Sequence, residues 1–348
     1  MIPDEKDDRY LWDRSGPPDE EIVRLETLLA PLGHRGQPPA LPEGRRRVPG
    51  LGWRLALSAA AALVVALTAG WFALGMHHRG WAVQSLAGTP SVDGVRLSGG
   101  PVAGFGRLRI GEWLVTDGAS RARLSDGEIG KVEIDPNTRV QLVEARAREH
   151  RLSLARGTIH AQIWAPPKLF YVNTPSATAI DLGCEYTLHV DDQGAGLLRV
   201  TLGWVAFEHG GRESFIPEGA MCATRPGAGP GTPRYEDAPS GYAAALDTLD
   251  FGRPDDPGRP EALELVLSRA RGHDAMTLWH LLTRGTPDER SRVYDRMAAL
   301  VPPPSGVTRD AVLRGDRAAL ERWWDALGLP NAAWWKLLKM KQSLIPNP

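Results

Sequence analysis

The 348-residue chain lacks the usual sequence signatures of an enzyme. It has no G-x-S-x-G, G-x-G-x-x-G, Walker or H-E-x-x-H motif, and its nine histidines are scattered without ligand spacing. Its net charge is −1, which gives no indication of direct nucleic-acid binding. We therefore predict that the protein is not an enzyme and that it has no catalytic, cofactor-binding or metal site.

Charge is also absent from one long apolar run, LALSAAAALVVALTAGWFALGM at residues 55–76. At a rise of about 1.5 Å per residue, a helix of this length spans about 33 Å, enough to cross a hydrocarbon core of about 30 Å. Arg45, Arg46, Arg47 and Arg54 on its amino side indicate a cytoplasmic amino terminus. A cleavable signal peptide is the competing interpretation, but the 50 residues before the run are too many for one. We predict a transmembrane helix at 51–76 in a bacterial inner membrane, with the later domains periplasmic or extracytoplasmic.

Small side chains recur along one side of this predicted helix. Ser58, Ala62, Ala66 and Gly70 are spaced four residues apart, which lets two helix backbones approach closely. The pattern predicts a homodimer through the membrane. An alanine-rich anchor of modest hydrophobicity is the alternative.

Cysteine is scarce. Cys184 and Cys222 are the two in the chain, and both follow the predicted anchor, in a compartment where a disulfide persists. A bridge between them closes a loop of about 39 residues, worth roughly 4 kcal/mol in the chain-entropy model. We predict this disulfide, with two buried free thiols as the alternative.

The cytoplasmic segment, residues 1–50, contains one short amphipathic helix and a linker. Asp19 is a suitable N-cap, and the apolar residues that follow it recur at helical spacing. So short a segment has no core of its own, so the stripe needs a partner or the membrane surface. The predicted partner-binding residues are Trp12, Ile22, Leu25, Leu28 and Leu29. A disordered tail with incidental leucines is the alternative.

Beyond the anchor, residues 88–238 show the alternation of short, half-buried strands. Val132 with Ile134 and Leu169 with Tyr171 are examples, and Asp126-Gly127 and Gly157 are among the turn signals between segments. Strands at this spacing predict an all-β sandwich, barrel or β-solenoid. The pattern does not choose among the three.

Several motifs in this region resemble the FecR-type periplasmic domain. They are Gly111-Glu-Trp-Leu-Val-Thr116-Asp117, Asp135-Pro136-Asn137-Thr138, Phe170-Tyr-Val-Asn-Thr174-Pro175 and Val200-x-x-Gly203-x-Val205. The resemblance implies a β-solenoid-like domain and a transmembrane regulator of an extracytoplasmic-function sigma factor. The chain departs from the family at Leu182-Gly183-Cys184-Glu185-Tyr186, where Leu-Gly-Thr-x-Phe is usual, and it lacks a recognisable secretin/TonB-type signalling module. We therefore do not extend iron sensing to it. With no cytoplasmic cysteine, it also lacks the H-x3-C-x2-C arrangement of zinc-type anti-sigma factors.

The remaining chain is predicted to be a linker at 239–260 and an α-helical domain of HEAT-like hairpins at 261–348. Thr286 to Glu289 forms a capping box with proline at its first helical position, and Asp316 begins a further helix. The paired Trp323 and Trp324 in that helix indicate a core with one exposed ring, or alternatively a binding groove.

Together these features predict a single-pass signalling regulator. Its external domains would sense an envelope condition, or bind an unknown envelope protein or ligand, and its cytoplasmic helix would act on a sigma factor. The alternative function is a structural, scaffold or glycan-binding protein of the cell envelope.

Overall fold

The computed structural model describes residues 15–32, 80–97 and 105–329. The chain divides into two compact units, Met1–Thr68 and Ala69–Pro348. In the first unit, helix α1 (Glu20–Leu29) runs into a single 3-10 turn, Ala30–Leu32. Within the described ranges, no helix combines the length and the apolar character that crossing a membrane requires. The predicted anchor, with Ser58, Ala62, Ala66 and Gly70, lies outside those ranges, as does Trp12.

The second unit begins with β-strands and ends with helices. The strands are β1 (Gly80–Ala87), β2 (Ser91–Val92), β3 (Val95–Arg96), β4 (Phe105–Arg109), β5 (Trp113–Val115), β6 (Arg121–Asp126), β7 (Gly130–Ile134), β8 (Arg139–Arg146), β9 (Glu149–Ile163), β10 (Phe170–Asn173), β11 (Thr178–Asp181), β12 (Glu185–Val190), β13 (Gly196–Leu202), β14 (Trp204–His209), β15 (Arg212–Pro217), β16 (Ala220–Arg225), β17 (Gly229–Pro230) and β18 (Arg234–Tyr235). The helices are α2 (Tyr242–Phe251), α3 (Arg259–Arg269), α4 (Ala275–Leu282), α5 (Pro287–Leu300), α6 (Arg309–Leu313) and α7 (Arg317–Ala326).

The strands form two sheets that share β9. The first sheet has the order β4-β1-β6-β7-β9-β12-β13-β16, with β17 and β18 both paired to β16. The second has the order β3-β2-β5-β8-β9-β10-β11-β14-β15. Among these ladders only β9 with β10 is parallel. A β-solenoid is built from parallel strands, so the mostly antiparallel ladders agree with the sandwich or barrel forms of the prediction.

Strand β9 changes sheets at Gly157. Residues before it pair with β8 and β10, and Gly157 itself pairs with Val190 of β12. Gly157 has a φ of 96°, and a Cβ there would lie 2.2 Å from the Thr138 hydroxyl oxygen. Only glycine fits such a position. Gly157 was predicted as a turn between two strands, but it is the bend within one continuous strand.

The core lies between the sheets and continues under the helices. Trp81 of β1 donates a hydrogen bond from its indole to His150 of β9 (3.2 Å), and its ring centroid lies 5.6 Å from that of Phe170. One cluster of buried apolar side chains extends from Trp81 to Trp324 of α7. The β-region and the helices therefore share a single hydrophobic core.

Three boundaries or registers differ from the sequence prediction. Strand β1 begins at Gly80, before the predicted start at residue 88, and Trp81 is fully buried. In β10 the buried residues are Phe170 and Val172, whereas the sequence predicted Leu169 and Tyr171, so the predicted buried face was wrong. Every residue from 169 to 172 is apolar or aromatic, so the alternation of residue types could not indicate which face is buried. The segment predicted as a linker at 239–260 contains α2, whose Tyr242 is fully buried.

Candidate functional site

Helix α1 exposes an apolar stripe. The Asp19 carboxylate accepts a hydrogen bond from the Glu21 amide (3.1 Å), which confirms the predicted N-cap. No residue of the helix is buried. Leu25, Leu28 and Leu29 are 53%, 66% and 57% exposed, and Ile22 is half-buried. The helix thus forms where the sequence predicts it, and three of its four predicted binding residues are exposed.

The opposite side of α1 has one exposed apolar residue, Val23 (45% exposed), among polar ones. Val23 and Thr27 lie on it, one turn apart, and the Thr27 hydroxyl donates to the Val23 carbonyl (2.7 Å). The acidic Glu20 and Glu21 occupy the first turn, where negative charge favours the helix dipole. The stripe is therefore confined to one face of a capped helix.

The predicted disulfide is absent. Cys184 and Cys222 are both free and buried. The Cys184 thiol donates to Asp181 Oδ2 (2.6 Å), whereas the Cys222 thiol donates to the Gly231 carbonyl (3.2 Å). Each thiol has a hydrogen-bond partner of its own, which is the alternative that the sequence left open.

Burial strongly perturbs the group around Cys184. It raises the pKa of Asp181 to about 7, although the Cys184 thiol and the Gly183 amide both donate to that carboxylate. Burial also raises the pKa of the Cys184 thiol well above its usual value, and Asp181 raises it further. Among the described residues, the buried Tyr186 hydroxyl has no hydrogen-bond partner. The thiol is therefore a protonated structural group rather than a nucleophile.

Helix α4 covers the free edge of β15. His280 Nε2 accepts a hydrogen bond from the Phe215 amide (3.1 Å), and Arg284 Nη2 donates to the Glu213 carbonyl (2.6 Å). His280 lies in α4 and Arg284 in the turn that follows it, and the two side chains take the place of the next strand of the sheet. Such coverage satisfies backbone groups that would otherwise invite edge-to-edge pairing.

A buried ionic cluster lies behind this edge. Asp250 of α2, 3% exposed, accepts from Arg212 Nη2 (2.6 Å) and lies 3.6 Å from Arg284 Nη1. Its carboxylate also accepts from the Thr232 amide (2.6 Å) and hydroxyl (2.9 Å). Arg284 donates further to Thr232 (3.0 Å) and to the Ser214 hydroxyl (2.6 Å). Burial lowers the pKa of Arg284 to about 10, which the nearby Asp250 only partly offsets.

Two clefts meet at the β14–β15 turn. One, of about 670 Å³, lies between β15 and the helices and is lined by Arg212, Trp279, Thr283 and Arg284 among others. The other, of about 560 Å³, lies along the outer side of the second sheet, where Arg151 stacks 4.4 Å from the ring centroid of Tyr171. Arg212 lines both clefts.

The paired tryptophans belong to the core. Trp323 is fully buried and Trp324 is 1% exposed. The ring of Trp324 lies 4.6 Å from that of Trp279 and 6.0 Å from that of Phe215 (centroid to centroid), which joins α7 to α4 and to β15. Neither ring is exposed, so the predicted exposed ring is absent and this pair offers no docking surface.

Comparison with known families identifies the β-region. Residues 113–205, from the start of β5 into β14, match the family model described as FecR protein. The chain contains a FecR-type domain. The strands outside the match, β1 to β4 and β15 to β18, extend the two sheets of the FecR-type domain on either side of it.

Other comparisons add little. A search of curated protein sequences found no match. Two crystal structures of a putative anti-sigma factor from Parabacteroides distasonis ATCC 8503 match with 13% identity and a TM-score of 0.32. The match covers 38% of this chain and 63% or 62% of theirs, so the chain spans less than two thirds of their length. A similarity this low does not establish a shared fold.

The sequence did not reveal the ionic cluster. Arg212, Asp250 and Arg284 are 38 and 34 residues apart, and each reads as an ordinary surface charge. Two local signals were the runs Trp204 to Phe207 and Ser214 to Pro217, each of four consecutive buried residues. Such a run indicates a strand covered on both faces, here by the other sheet and by the helices.

Proposed function

We propose that the protein is a single-pass transmembrane regulator of a sigma factor. The FecR-type domain supports the regulatory class, and the apolar run at 55–76 with its amino-terminal arginines supports the membrane topology. In this arrangement α1 lies in the cytoplasm and the FecR-type domain and helices lie outside. The external part senses an envelope condition, a partner protein or a ligand.

The exposed stripe of α1 carries the cytoplasmic half of the proposal. Ile22, Leu25 and Leu29 follow the i, i+3, i+7 spacing by which an amphipathic helix binds a groove. Burying the exposed part of these side chains against a partner would contribute less than the roughly 1.5–3 kcal/mol expected for a fully exposed side chain, and least for the half-buried Ile22. The acidic first turn complements a basic surface, such as a sigma factor presents to DNA. We propose that α1 docks on the sigma factor through this face, with Leu28 at its margin and Trp12 as a further anchor.

A matched pair of double variants tests the docking. Leu25→Glu with Leu29→Glu places two carboxylates on the apolar face; Val23→Glu with Thr27→Glu places two, at the same spacing, on the opposite face. In a bacterial two-hybrid assay of the full chain against each extracytoplasmic-function sigma factor of the same genome, the first variant should lose binding. The second should retain it. Target transcription should change with the first variant alone.

Equal binding by both variants and the wild type would refute docking through this face. In that case residues 1–50 serve only to set membrane topology, and an envelope scaffold or glycan-binding protein becomes the better interpretation. A membrane two-hybrid assay separately tests the homodimer. Ala62→Leu with Ala66→Leu should lower self-association. If the signal is unchanged, self-association does not depend on the small residues Ser58, Ala62, Ala66 and Gly70.

A further inference from the structure

The cluster behind β15 has more hydrogen-bond donors than its acceptors can use. Two guanidinium groups share one buried carboxylate, that of Asp250, which also accepts two hydrogen bonds from Thr232. Each guanidinium has five N–H donors, and a carboxylate has about four acceptor positions. The carboxylate accepts three hydrogen bonds, one from Arg212 and two from Thr232, while other donors of Arg212 remain unused. Among the described residues, the buried Arg212 Nε has no acceptor.

The cluster also has more positive than negative charge. Arg212 and Arg284 bring two positive charges to the single negative charge of Asp250, and the Arg284 side chain is only 10% exposed. Burying a cation without a full counter-charge is unfavourable, because attraction to an anion does not offset its lost hydration. A bound anion would supply the missing attraction.

The other acidic groups at the cleft do not cancel this surplus. Glu213 also lines the cleft, but among the described residues its carboxylate forms no ion pair with Arg212 or Arg284. Glu321 accepts from Arg317 at the rim (3.0 Å), so that pair is balanced. The excess positive charge therefore stays at Arg212 and Arg284.

The cleft is open enough for a small molecule to reach these groups. Its volume of about 670 Å³ falls within the usual range of small-ligand sites, about 300–1,000 Å³. Gly210 and Gly211 form part of its lining, and a Cβ at either would meet nothing within 4 Å. Thr283 adds a hydroxyl, and Trp279 an apolar wall.

We propose that this cleft binds the oxyanion, a carboxylate or a phosphate, of a small soluble molecule. Arg212 is the principal ligand group, because it lines the cleft and its side chain is 27% exposed. Arg284 supplies further positive charge from behind it. Asp250 competes with the ligand for both arginines.

Three sugars that differ only at carbon 6 test the site: D-glucose, D-glucuronate and D-glucose 6-phosphate. Titration calorimetry of the purified full chain at constant ionic strength should show one of the two anions binding at least about tenfold more tightly than glucose. A preference for glucuronate identifies a carboxylate site, and a preference for the phosphate ester a phosphate site. If neither anion binds better than glucose, the proposal fails.

Three variants distinguish an effect on anion binding from an effect on the stability of the fold. Arg212→Gln should weaken binding of the preferred anion at least about tenfold, whereas Asp250→Asn should strengthen it severalfold by removing the internal competitor. Both variants should lower stability, so their opposite effects on binding cannot come from unfolding. Arg123→Gln, which breaks the distant pair with Glu133, is the control and should leave binding unchanged. Unaltered binding in Arg212→Gln, or loss of binding in a folded Asp250→Asn, would overturn the assignment.

Discussion

We expect His280→Gln and Asp181→Asn to change the slope of the free energy of unfolding against pH, relative to wild type, in opposite directions. His280 Nε2 accepts from the Phe215 amide, so the folded state requires that nitrogen unprotonated. Burial, together with the nearby charges of Arg284 and Arg212, lowers the pKa of His280 from 6.5 to about 3. Between these values the unfolded chain takes up a proton that the folded chain excludes. The contribution is fully present above pH 6.5 and is lost as the pH falls toward 3, by up to roughly 5 kcal/mol.

Asp181 has the reverse dependence. Its pKa is about 7 in the folded protein, whereas an exposed aspartate has a pKa of 3.8, so the folded chain retains a proton that the unfolded chain releases. Its contribution is fully present below pH 3.8 and is lost as the pH rises through 7, by up to roughly 4 kcal/mol. In the wild type the two effects oppose each other between about pH 4 and 6.5.

Urea unfolding of the full chain at half-unit steps between about pH 4 and 7 measures the two effects separately. Relative to wild type, His280→Gln should lose stability with rising pH at about 1.4 kcal/mol per pH unit, and Asp181→Asn should gain it at a similar rate. Trp323→Phe alters the core without removing a titrating group and is the control, whose curve should run parallel to wild type. If the curves of His280→Gln and Asp181→Asn also run parallel to it, neither group changes its pKa on folding and the reasoning is wrong.

Three further predictions concern packing and caps. Gly157→Ala should destabilise the protein by more than about 3 kcal/mol in urea unfolding, because its Cβ would meet Thr138 at a positive φ; a loss below about 1 kcal/mol would contradict this. Cys184 and Cys222 should resist iodoacetamide in the native chain at about pH 8 and both react in urea without reductant; a thiol that stays blocked in urea would show a disulfide after all. Thr286→Ala should cost about 1 kcal/mol, and Thr286→Ser should restore most of it.

Local chemistry predicted the helix starts well. The N-caps Asp19, Thr286 and Asp316 are all confirmed, and the capping box of Thr286 with Glu289 is present. These signals succeed because a cap is made within four residues of chain, so its sequence contains the whole interaction. The alternation of residues 130–163 likewise gave the right buried face, from Val132 to Ile163.

Features that depend on distant residues were not predictable. The faces of β10 were ambiguous because both are apolar, and tertiary packing decided between them. The spacing of Cys184 and Cys222 indicates nothing about the distance between their sulfur atoms, so the sequence could not distinguish a disulfide from two free thiols. The partners of Arg212 and Arg284 become evident only when α2 and α4 pack against β15.

The position of β1 in its sheet has a mechanical consequence. β1 is the first described strand after the predicted anchor, and it lies between β4 and β6, paired to both. Tension applied to the chain ahead of Gly80 would therefore load two ladders in shear at once instead of unzipping an edge strand. Trp81 passes that load to His150 of β9, the strand that both sheets share. A pull on the chain ahead of Gly80 would thus act on both sheets through β1 and β9.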